Sequence, residues 1–417
     1  MKNRMNVAIA ILLALLMLLA SACGTDVPDT TEPDLTDPNV TDPTDTDPTD
    51  TDPADTDPTD TESDTSKEKE PVTAKENGLI LEILKPASGR EYGSFYVYVQ
   101  TSDPSGQYYV KYNFAYEYND ARTNYAGNTT TNISNYRIKS AQLVKVSAVG
   151  ETAVTSTKIY EVLQQGEISL AIRQEKVDTA ILAPGATLKD GLSGDFIGGY
   201  HGDERIESVS LTADGDPIDL KGKTAQVIVC ATVTFDQVTT LYKWGTSTAE
   251  SFGVPAATHS QSFSIDTHGV RNRQSVEWLC GDFHTRSSAT FLQMFTMMRQ
   301  SGGRVITDIL ESFDENGKSL GKETVDTALT ANKAYLKNTR LRTVEYGSET
   351  SGVSAVAGFR IVEGAAVDAA YVSARASQKD NKLYVSFKSE KNGRTPALGE
   401  VWTVDLFYTI DYIKPEA

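Results

Sequence analysis

The chain contains 417 residues and has a formal net charge of −18 at pH 7. An acidic excess of this size repels a phosphate backbone, which argues against nucleic acid as a partner. The sequence also lacks the P-loop, the Rossmann glycine pattern, the G-x-S-x-G elbow and the H-E-x-x-H motif, and nothing in it indicates a cofactor.

The first 22 residues are organised like a secretory signal peptide. Lys2 and Arg4 provide a positive start, and residues 7–20 form an unbroken apolar run. A helix that spans a bilayer needs about 20 apolar residues, so this run is short for one. Residues 1–22 are therefore predicted to be a cleaved leader.

The leader is followed by Cys23, and the residues before it resemble the lipobox of bacterial lipoproteins. In that family a small residue, here Ala22, precedes a cysteine that receives a diacylglycerol and becomes the N-terminus after cleavage. The resemblance implies a lipidated Cys23 that holds the chain to a membrane, since each buried methylene contributes about 0.8 kcal/mol.

One departure from the lipobox leaves an alternative open. Ala20 stands where leucine is usual, and residues 20–22 also form an A-x-A site for ordinary signal peptidase. Cleavage by that enzyme releases a secreted protein. We expect a lipid anchor on the extracellular face of the cell membrane, with secretion as the alternative.

Residues 23–76 are predicted to be an unfolded acidic spacer. Prolines recur every five residues, and residues 24–71 contain 17 acidic side chains and two lysines. Because it has hardly an apolar side chain to bury, the segment cannot offset the entropy of ordering. Subtracting its net −15 and the +2 of Lys2 and Arg4 from −18 leaves −5 for the remainder. Proline and like charge extend such a chain, which we interpret as a stalk.

After the spacer, hydrophobic alternation predicts β-strands almost to the C-terminus. Period-two patterns occupy residues 95–99, 110–118, 226–235, 259–265, 270–279 and 402–412. Asp214-Gly215 and Asn316-Gly317 are hairpin turn signals. The expected fold class is therefore all-β and mainly antiparallel, a β-sandwich or supersandwich.

The length of this region suggests two lobes. We place an N-terminal lobe at residues 77–195 and a larger C-terminal lobe at residues 196–417. One segment resists assignment, because the apolar residues of 289–299 fit helical and strand spacing equally well.

Tyrosines are unevenly distributed, with ten of the nineteen between Tyr92 and Tyr136. An aromatic ring packs on the apolar face of a sugar while its hydroxyl bonds the sugar's edge, so exposed tyrosines on a sheet suit glycan binding. Sheets also bury aromatic stripes, which is the interpretation for Tyr112, Phe114, Tyr116 and Tyr118. The binding candidates lie opposite an aliphatic face or beside a loop: Tyr96, Tyr98, Tyr108 and Tyr125.

The most site-like stretch is residues 198–204, which read Gly-Gly-Tyr-His-Gly-Asp-Glu. Its glycines allow a ligand to approach the backbone, and it presents a base, two carboxylates and a phenol. The candidate catalytic residues are Tyr200, His201, Glu204 and His259. A His/Tyr pair, with Arg205 neutralising a uronic carboxylate, suits a polysaccharide lyase, whereas a His/Glu pair suits a glycosidase.

Other interpretations of these polar residues remain open. The stretch also fits a glycine-rich loop whose polar side chains face solvent. The spacing of His201, Glu204 and His259 is not a recognised zinc pattern, so no metal is expected. Once Cys23 is lipidated, Cys230 and Cys280 form an even pair, and the sequence allows either a disulfide or free thiols.

The long strands, the loop of residues 200–204 and the hairpin from His259 to Leu279 are faintly similar to the supersandwich of galactose-mutarotase-like and polysaccharide-lyase domains. The resemblance implies a large antiparallel sandwich and carbohydrate chemistry, and no catalytic residue is carried over from it. We predict a module that binds extracellular or cell-wall carbohydrate. The alternatives are a lyase or glycosidase, or a structural or adhesive surface protein, and no protein partner is indicated.

Overall fold

The structure is a computed structural model that describes residues 78–415. Gaps fall at residues 119–132, 164–169, 187, 189–195, 199–201, 249–250, 327, 365–366, 377–378 and 388–393. All described residues belong to the unit Pro58–Ala417. The predicted leader and spacer, with Cys23, lie outside them, as do three predicted site residues, Tyr125, Tyr200 and His201.

Nearly all regular structure in the described part of the chain is β-strand. The exception is one 3-10 turn, Thr179–Ile181. The strands are β1 Leu79–Ile83, β2 Phe95–Gln100, β3 Tyr108–Tyr118, β4 Ile133–Val149, β5 Val154–Leu163, β6 Ala171–Glu175, β7 Phe196–Ile197, β8 Glu204–Ala213, β9 Asp216–Pro217, β10 Gln226–Cys230, β11 Val233–Tyr242, β12 Pro255–Asp266, β13 Gly269–Trp278, β14 His284–Met298, β15 Gln300–Ser301, β16 Arg304–Val305, β17 Ile309–Phe313, β18 Ser319–Thr324, β19 Lys333–Tyr335, β20 Thr343–Gly347, β21 Val353–Glu363, β22 Val367–Ala374, β23 Asp380–Phe387 and β24 Val401–Tyr412.

These strands form one very long sheet and one shorter sheet. The long sheet has the order β10-β1-β2-β3-β4-β8-β11-β12-β13-β24-β21-β20-β17-β18, with β5 beside β4 and β9 beside β8. The shorter sheet has the order β19-β22-β23-β14-β6-β7, and β15 and β16 pair separately. The predicted all-β sandwich is thus confirmed. In the described part of the chain, no helix is long and apolar enough to cross a bilayer.

Two local predictions are settled by the strand pairing. Asp214 and Gly215 have φ values of 51° and 89° at the β8–β9 hairpin, the left-handed pair that a tight two-residue turn requires. The ambiguous residues 289–299 form most of β14, so the helical alternative is wrong for them. β14 pairs with β23 on one side and β6 on the other, and this ladder decides between the two spacings.

The long sheet folds back on itself at the junction between β4 and β8. This junction is the one parallel pairing among the described strands, and it involves only Ile133–Ser134 and Glu204–Arg205. Aromatic rings of β2 and β3, on one side of this junction, pack on aromatic rings of β11 and β12, on the other side. The Phe95 and Phe235 centroids are 5.1 Å apart, and those of Phe114 and Phe263 are 5.3 Å apart.

The shorter sheet covers the part of the long sheet that contains β24 and β20. Phe295 of β14 packs against Tyr408 of β24 at 5.3 Å and against Tyr346 of β20 at 5.6 Å. These contacts belong to the same hydrophobic core as the rings of β2, β3, β11 and β12. β1 lies before the predicted lobe boundary at residues 195/196, and β10 lies after it. These two strands nevertheless pair with each other. The two-lobe division stays a prediction, and strands from both sides of it share one core.

Phe235→Ala should destabilise the module because Phe235 lies at the centre of the ring contacts that hold the folded-back sheet. Its ring packs against Phe95, Tyr136 and Phe263 and is fully buried. We expect a loss of about 3–5 kcal/mol in the free energy of unfolding, measured by denaturant titration. Phe407→Ala, at an exposed ring on β24, should cost about 1 kcal/mol or less. Equal losses for the two variants would contradict this account.

Candidate functional site

Two of the predicted catalytic residues meet inside the molecule. Glu204 begins β8 and His259 lies in β12, and β11 runs between these strands. The Glu204 Oε1 atom is 3.2 Å from the His259 Nδ1 atom. Glu204 and His259 are 1% and 2% exposed, so this contact is shielded from bulk water.

Hydrogen bonds hold the Glu204 carboxylate in its ionised form. Thr239 Oγ1 donates to Oε1 at 2.6 Å, and Asn135 Nδ2 donates to Oε2 at 2.6 Å. Burial by itself raises the pKa of a carboxyl group, but the His259 ring, Thr239 and Asn135 outweigh it and lower the pKa of Glu204. The carboxylate therefore fixes the orientation of the imidazole.

The network continues along the interior face of the sheet. His259 Nε2 lies 3.1 Å from Gln274 Oε1 on β13. Beside it, Gln237 Nε2 donates to the backbone oxygen of Tyr136 at 2.8 Å and to Gln261 Oε1. Gln237 also accepts a hydrogen bond from the Tyr136 amide at 3.1 Å. These side chains tie β4 to β11, β12 and β13.

The chemistry available to this network is that of an oriented acid–base pair. In general, a carboxylate bonded to one nitrogen of an imidazole orients the other nitrogen for acid–base chemistry where a substrate can reach it. In the structure that second nitrogen of His259 faces Gln274. The catalytic roles of Glu204 and His259 stay a prediction, and Tyr200 and His201 lie outside the described residues.

Three other polar candidates are described, and none of them contacts Glu204 or His259: Arg205, His268 and His284. Arg205 is exposed, and its guanidinium carbon lies 5.6 Å from the Phe252 ring centroid. His268 is exposed in the β12–β13 turn. His284 Nδ1 lies 2.8 Å from Thr395 Oγ1. Among the described residues, no three His, Cys, Asp or Glu side chains group as metal ligands would.

The tyrosines predicted to be exposed differ in their surroundings. Tyr98 is fully buried, contrary to the prediction, because Val154 of β5 packs in its cluster and its hydroxyl donates to Glu82 Oε2 at 2.6 Å. Tyr96 is half-buried, with Lys111 Nζ 3.8 Å from its ring centroid. Tyr108 is half-buried against Tyr412, at 5.0 Å between ring centroids. Tyr125 lies outside the described residues.

The aromatic stripe on β3 is mostly core, as expected. Tyr112, Phe114 and Tyr116 are buried, whereas Tyr118 at the end of the strand is 38% exposed. The cysteine question is also answered, because Cys230 and Cys280 are both free thiols. Burial raises the pKa of the Cys230 thiol to about 12, which makes it unreactive at neutral pH.

The outer face of the long sheet carries a set of residues that the sequence analysis did not identify. On β13, β24 and β21, Arg271, Phe407 and Gly358 are paired in one row across the strands. The next row contains Arg273, Asp405 and Arg360. We call these six residues the arginine–phenylalanine platform.

Phe407 and Gly358 are fitted to each other within the platform. The Phe407 ring occupies the space in which a side chain at position 358 would begin, and its Cζ atom would overlap an added Cβ. The tip of the ring therefore lies over the glycine, and the ring remains 38% exposed. The platform thus presents an apolar ring between exposed guanidinium groups.

Asp405 organises the second row of the platform. It accepts hydrogen bonds from Arg273 Nε at 2.6 Å and from Arg273 Nη2 at 3.1 Å, and it also pairs with Arg360. Bonding to Arg273 and then to Arg360 lowers the pKa of Asp405. One carboxylate therefore holds two guanidinium groups on the exposed face.

A partial signal for the platform exists in the sequence. Arg271 and Arg273 alternate with buried residues on one strand, and Asp405 and Phe407 do so on another. Their pairing depends on the register of β13 against β24, more than 130 residues apart, and on β21 lying beside β24. Alternation along single strands does not contain that information.

Comparisons with known proteins give little further information. No protein-family model matches the chain, and no curated protein matches it. A solved protein from Synechocystis sp. PCC 6803 is 10% identical with a TM-score of 0.35, over 73% of this chain and 92% of that one. A galactose mutarotase-like protein from Clostridium acetobutylicum is 8% identical with a TM-score of 0.37, over 79% and 98%. Similarities of this size do not assign a function.

Proposed function

We propose that this chain is a lipid-anchored extracellular protein whose β-sandwich binds carbohydrate on the arginine–phenylalanine platform. The observation that carries the proposal is the exposed Phe407 ring, lying over Gly358 and flanked by guanidinium groups. A flat ring packs on the apolar face of a sugar, and neighbouring guanidiniums bond its oxygen atoms.

The remainder of the proposal concerns where the module works. The leader and Cys23 place the chain outside the cell on a lipid anchor, and the acidic spacer holds the module away from the bilayer. These roles follow from the sequence pattern of residues 1–76, and they suit a module that contacts extracellular or cell-wall polysaccharide.

A second candidate function is acid–base chemistry on a sugar. The observation that favours it is the contact between the ionised Glu204 carboxylate and the His259 ring. Buried titratable groups with shifted pKa values are concentrated at functional sites. The same contact also serves a structural role, since it ties β8 to β12 in the interior.

Removing or displacing the Phe407 ring should weaken carbohydrate binding. We expect Phe407→Ala to lower the affinity for the best ligand of a glycan array about tenfold, equivalent to about 1.4 kcal/mol. Gly358→Ala should produce a similar loss without unfolding, because the added methyl meets the end of a movable ring. Affinities are to be measured by calorimetry on the full chain.

Tyr118→Ala is the matched control for these variants, since Tyr118 has the same 38% exposure on a different strand. It should bind like the wild type. Unchanged binding by Phe407→Ala, or equal losses for Phe407→Ala and Tyr118→Ala, would show that the platform is not the binding surface.

Cys23→Ser should release the protein from the membrane. The substitution removes the thiol that a diacylglycerol modifies, while residues 20–22 still offer an A-x-A cleavage site. We expect the wild type in the membrane fraction with an acylated first residue, and the variant in the culture medium. Fractionation and mass spectrometry of the N-terminus measure both. An unacylated wild type in the medium would support secretion instead.

Glu204→Gln should destabilise the module in a pH-dependent way. His259 loses its charged partner, which we expect to cost about 3 kcal/mol at neutral pH. Because the folded pKa of Glu204 is lowered, its contribution is complete above the unfolded value of 4.5 and is lost as pH falls through the folded pKa. The difference between wild type and variant should therefore shrink below pH 4.5 in denaturant titrations.

Glu207→Gln is the control for this experiment, since Glu207 is an exposed carboxylate on the same strand. It should leave stability unchanged at every pH. If the wild type also releases sugar products, the second candidate function expects Glu204→Gln to stop that release while Glu207→Gln retains it. Product release that survives Glu204→Gln would leave only the structural role.

A further inference from the structure

We infer that the ligand of the platform is an acidic polysaccharide, recognised through carboxylate groups of its sugars. This inference rests on the proposed function and specifies its ligand class. The platform carries three guanidinium groups and one carboxylate, on a chain whose residues after the spacer sum to −5. A concentration of positive charge against that background indicates a negatively charged ligand.

Two of the three arginines have N–H donors that the described residues do not use. Arg271 makes no ion pair or hydrogen bond with any residue that the structure describes, and it is exposed. Arg360 is held by one nitrogen, Nη2, to Asp405, and its side chain is 73% exposed. Arg273 uses both Nε and Nη2 on Asp405. Because a guanidinium has five N–H donors, Arg271 and Arg360 can each bind a further carboxylate.

The position of these donors relative to the ring fits an acidic sugar. Arg271 and Phe407 occupy directly paired positions, where Cβ atoms lie about 4.5–5.5 Å apart. One sugar ring can therefore pack on Phe407 while its carboxylate reaches Arg271. Arg360 lies in the next row, two residues from Gly358 along β21, and is placed for the carboxylate of a neighbouring sugar.

The surroundings of the platform suit a long polymer. On β12, the same two rows continue into Ser264 beside Arg271 and Ser262 beside Arg273, and both serines are exposed. These hydroxyl groups extend the face without adding charge as far as β11, where the half-buried Asp236 is paired with Ser262. An extended polysaccharide lying across the strands meets hydroxyls, guanidiniums and the ring in succession.

The test compares carboxylated polysaccharides with their methyl-esterified forms, which keep the backbone and remove the charge. Polygalacturonate, alginate and hyaluronan are titrated into the full chain and its variants. We expect the best acidic polymer to bind at least tenfold more tightly than its ester. Arg271→Gln/Arg360→Gln should abolish that preference while keeping the weaker binding to the ester, and added salt should weaken binding of the acidic form.

Arg304→Gln, at an exposed arginine on β16, is the matched control and should retain the preference. Equal affinities for acid and ester would overturn this inference and leave carbohydrate binding standing. A preference that survives in Arg271→Gln/Arg360→Gln would also overturn it. Binding to none of the polymers in either form would overturn this inference, whereas the proposed function is overturned only if the glycan array yields no ligand either.

Discussion

The packing of rings from β2 and β3 against rings from β11 and β12 is the constraint on which the rest of the structure depends. A sheet of this length has one apolar face that no single layer of the described strands covers. By folding back at the short β4–β8 junction, the sheet buries part of that face against itself. The shorter sheet then covers the part around Tyr408.

This arrangement explains why polar residues lie in the interior. Where β4 and β8 part after two paired residues, the backbone of β4 needs hydrogen-bonding partners that a sheet neighbour would normally supply. Gln237 supplies them at Tyr136, and Asn135 bonds Glu204. The Glu204–His259 contact is thus part of the polar network that accompanies the fold-back, whatever chemistry it also performs.

Among the described strands, both covering layers lie on the inner face, so the outer face of β13, β24 and β21 is left exposed. Gly358 is informative there, since a glycine inside a strand weakens the sheet unless something approaches closely. What approaches is the tip of the Phe407 ring.

Much of the architecture was predictable from local pattern. Alternation in residues 95–99, 110–118 and 402–412 predicted strands that the structure confirms, and Asp214-Gly215 predicted its turn. These signals are local, because successive side chains of a strand point to opposite faces and the alternation of apolar and polar residues therefore appears within the strand's own sequence. The same logic failed for Tyr98, whose burial comes from β5, and it left residues 289–299 undecided until β6 and β23 paired with them.

By itself, the sequence determined the all-β class, the antiparallel strands and the division between an acidic N-terminal segment and a strand-rich remainder, since each depends on composition or short-range periodicity. Only the tertiary structure decided which distant side chains meet: Glu204 with His259 in the interior, and Arg271, Phe407 and Gly358 in one row outside. The reason is physical. Strand register and the fold-back of the sheet are set by packing between segments far apart in the chain, and one residue of slip moves every side chain to the opposite face.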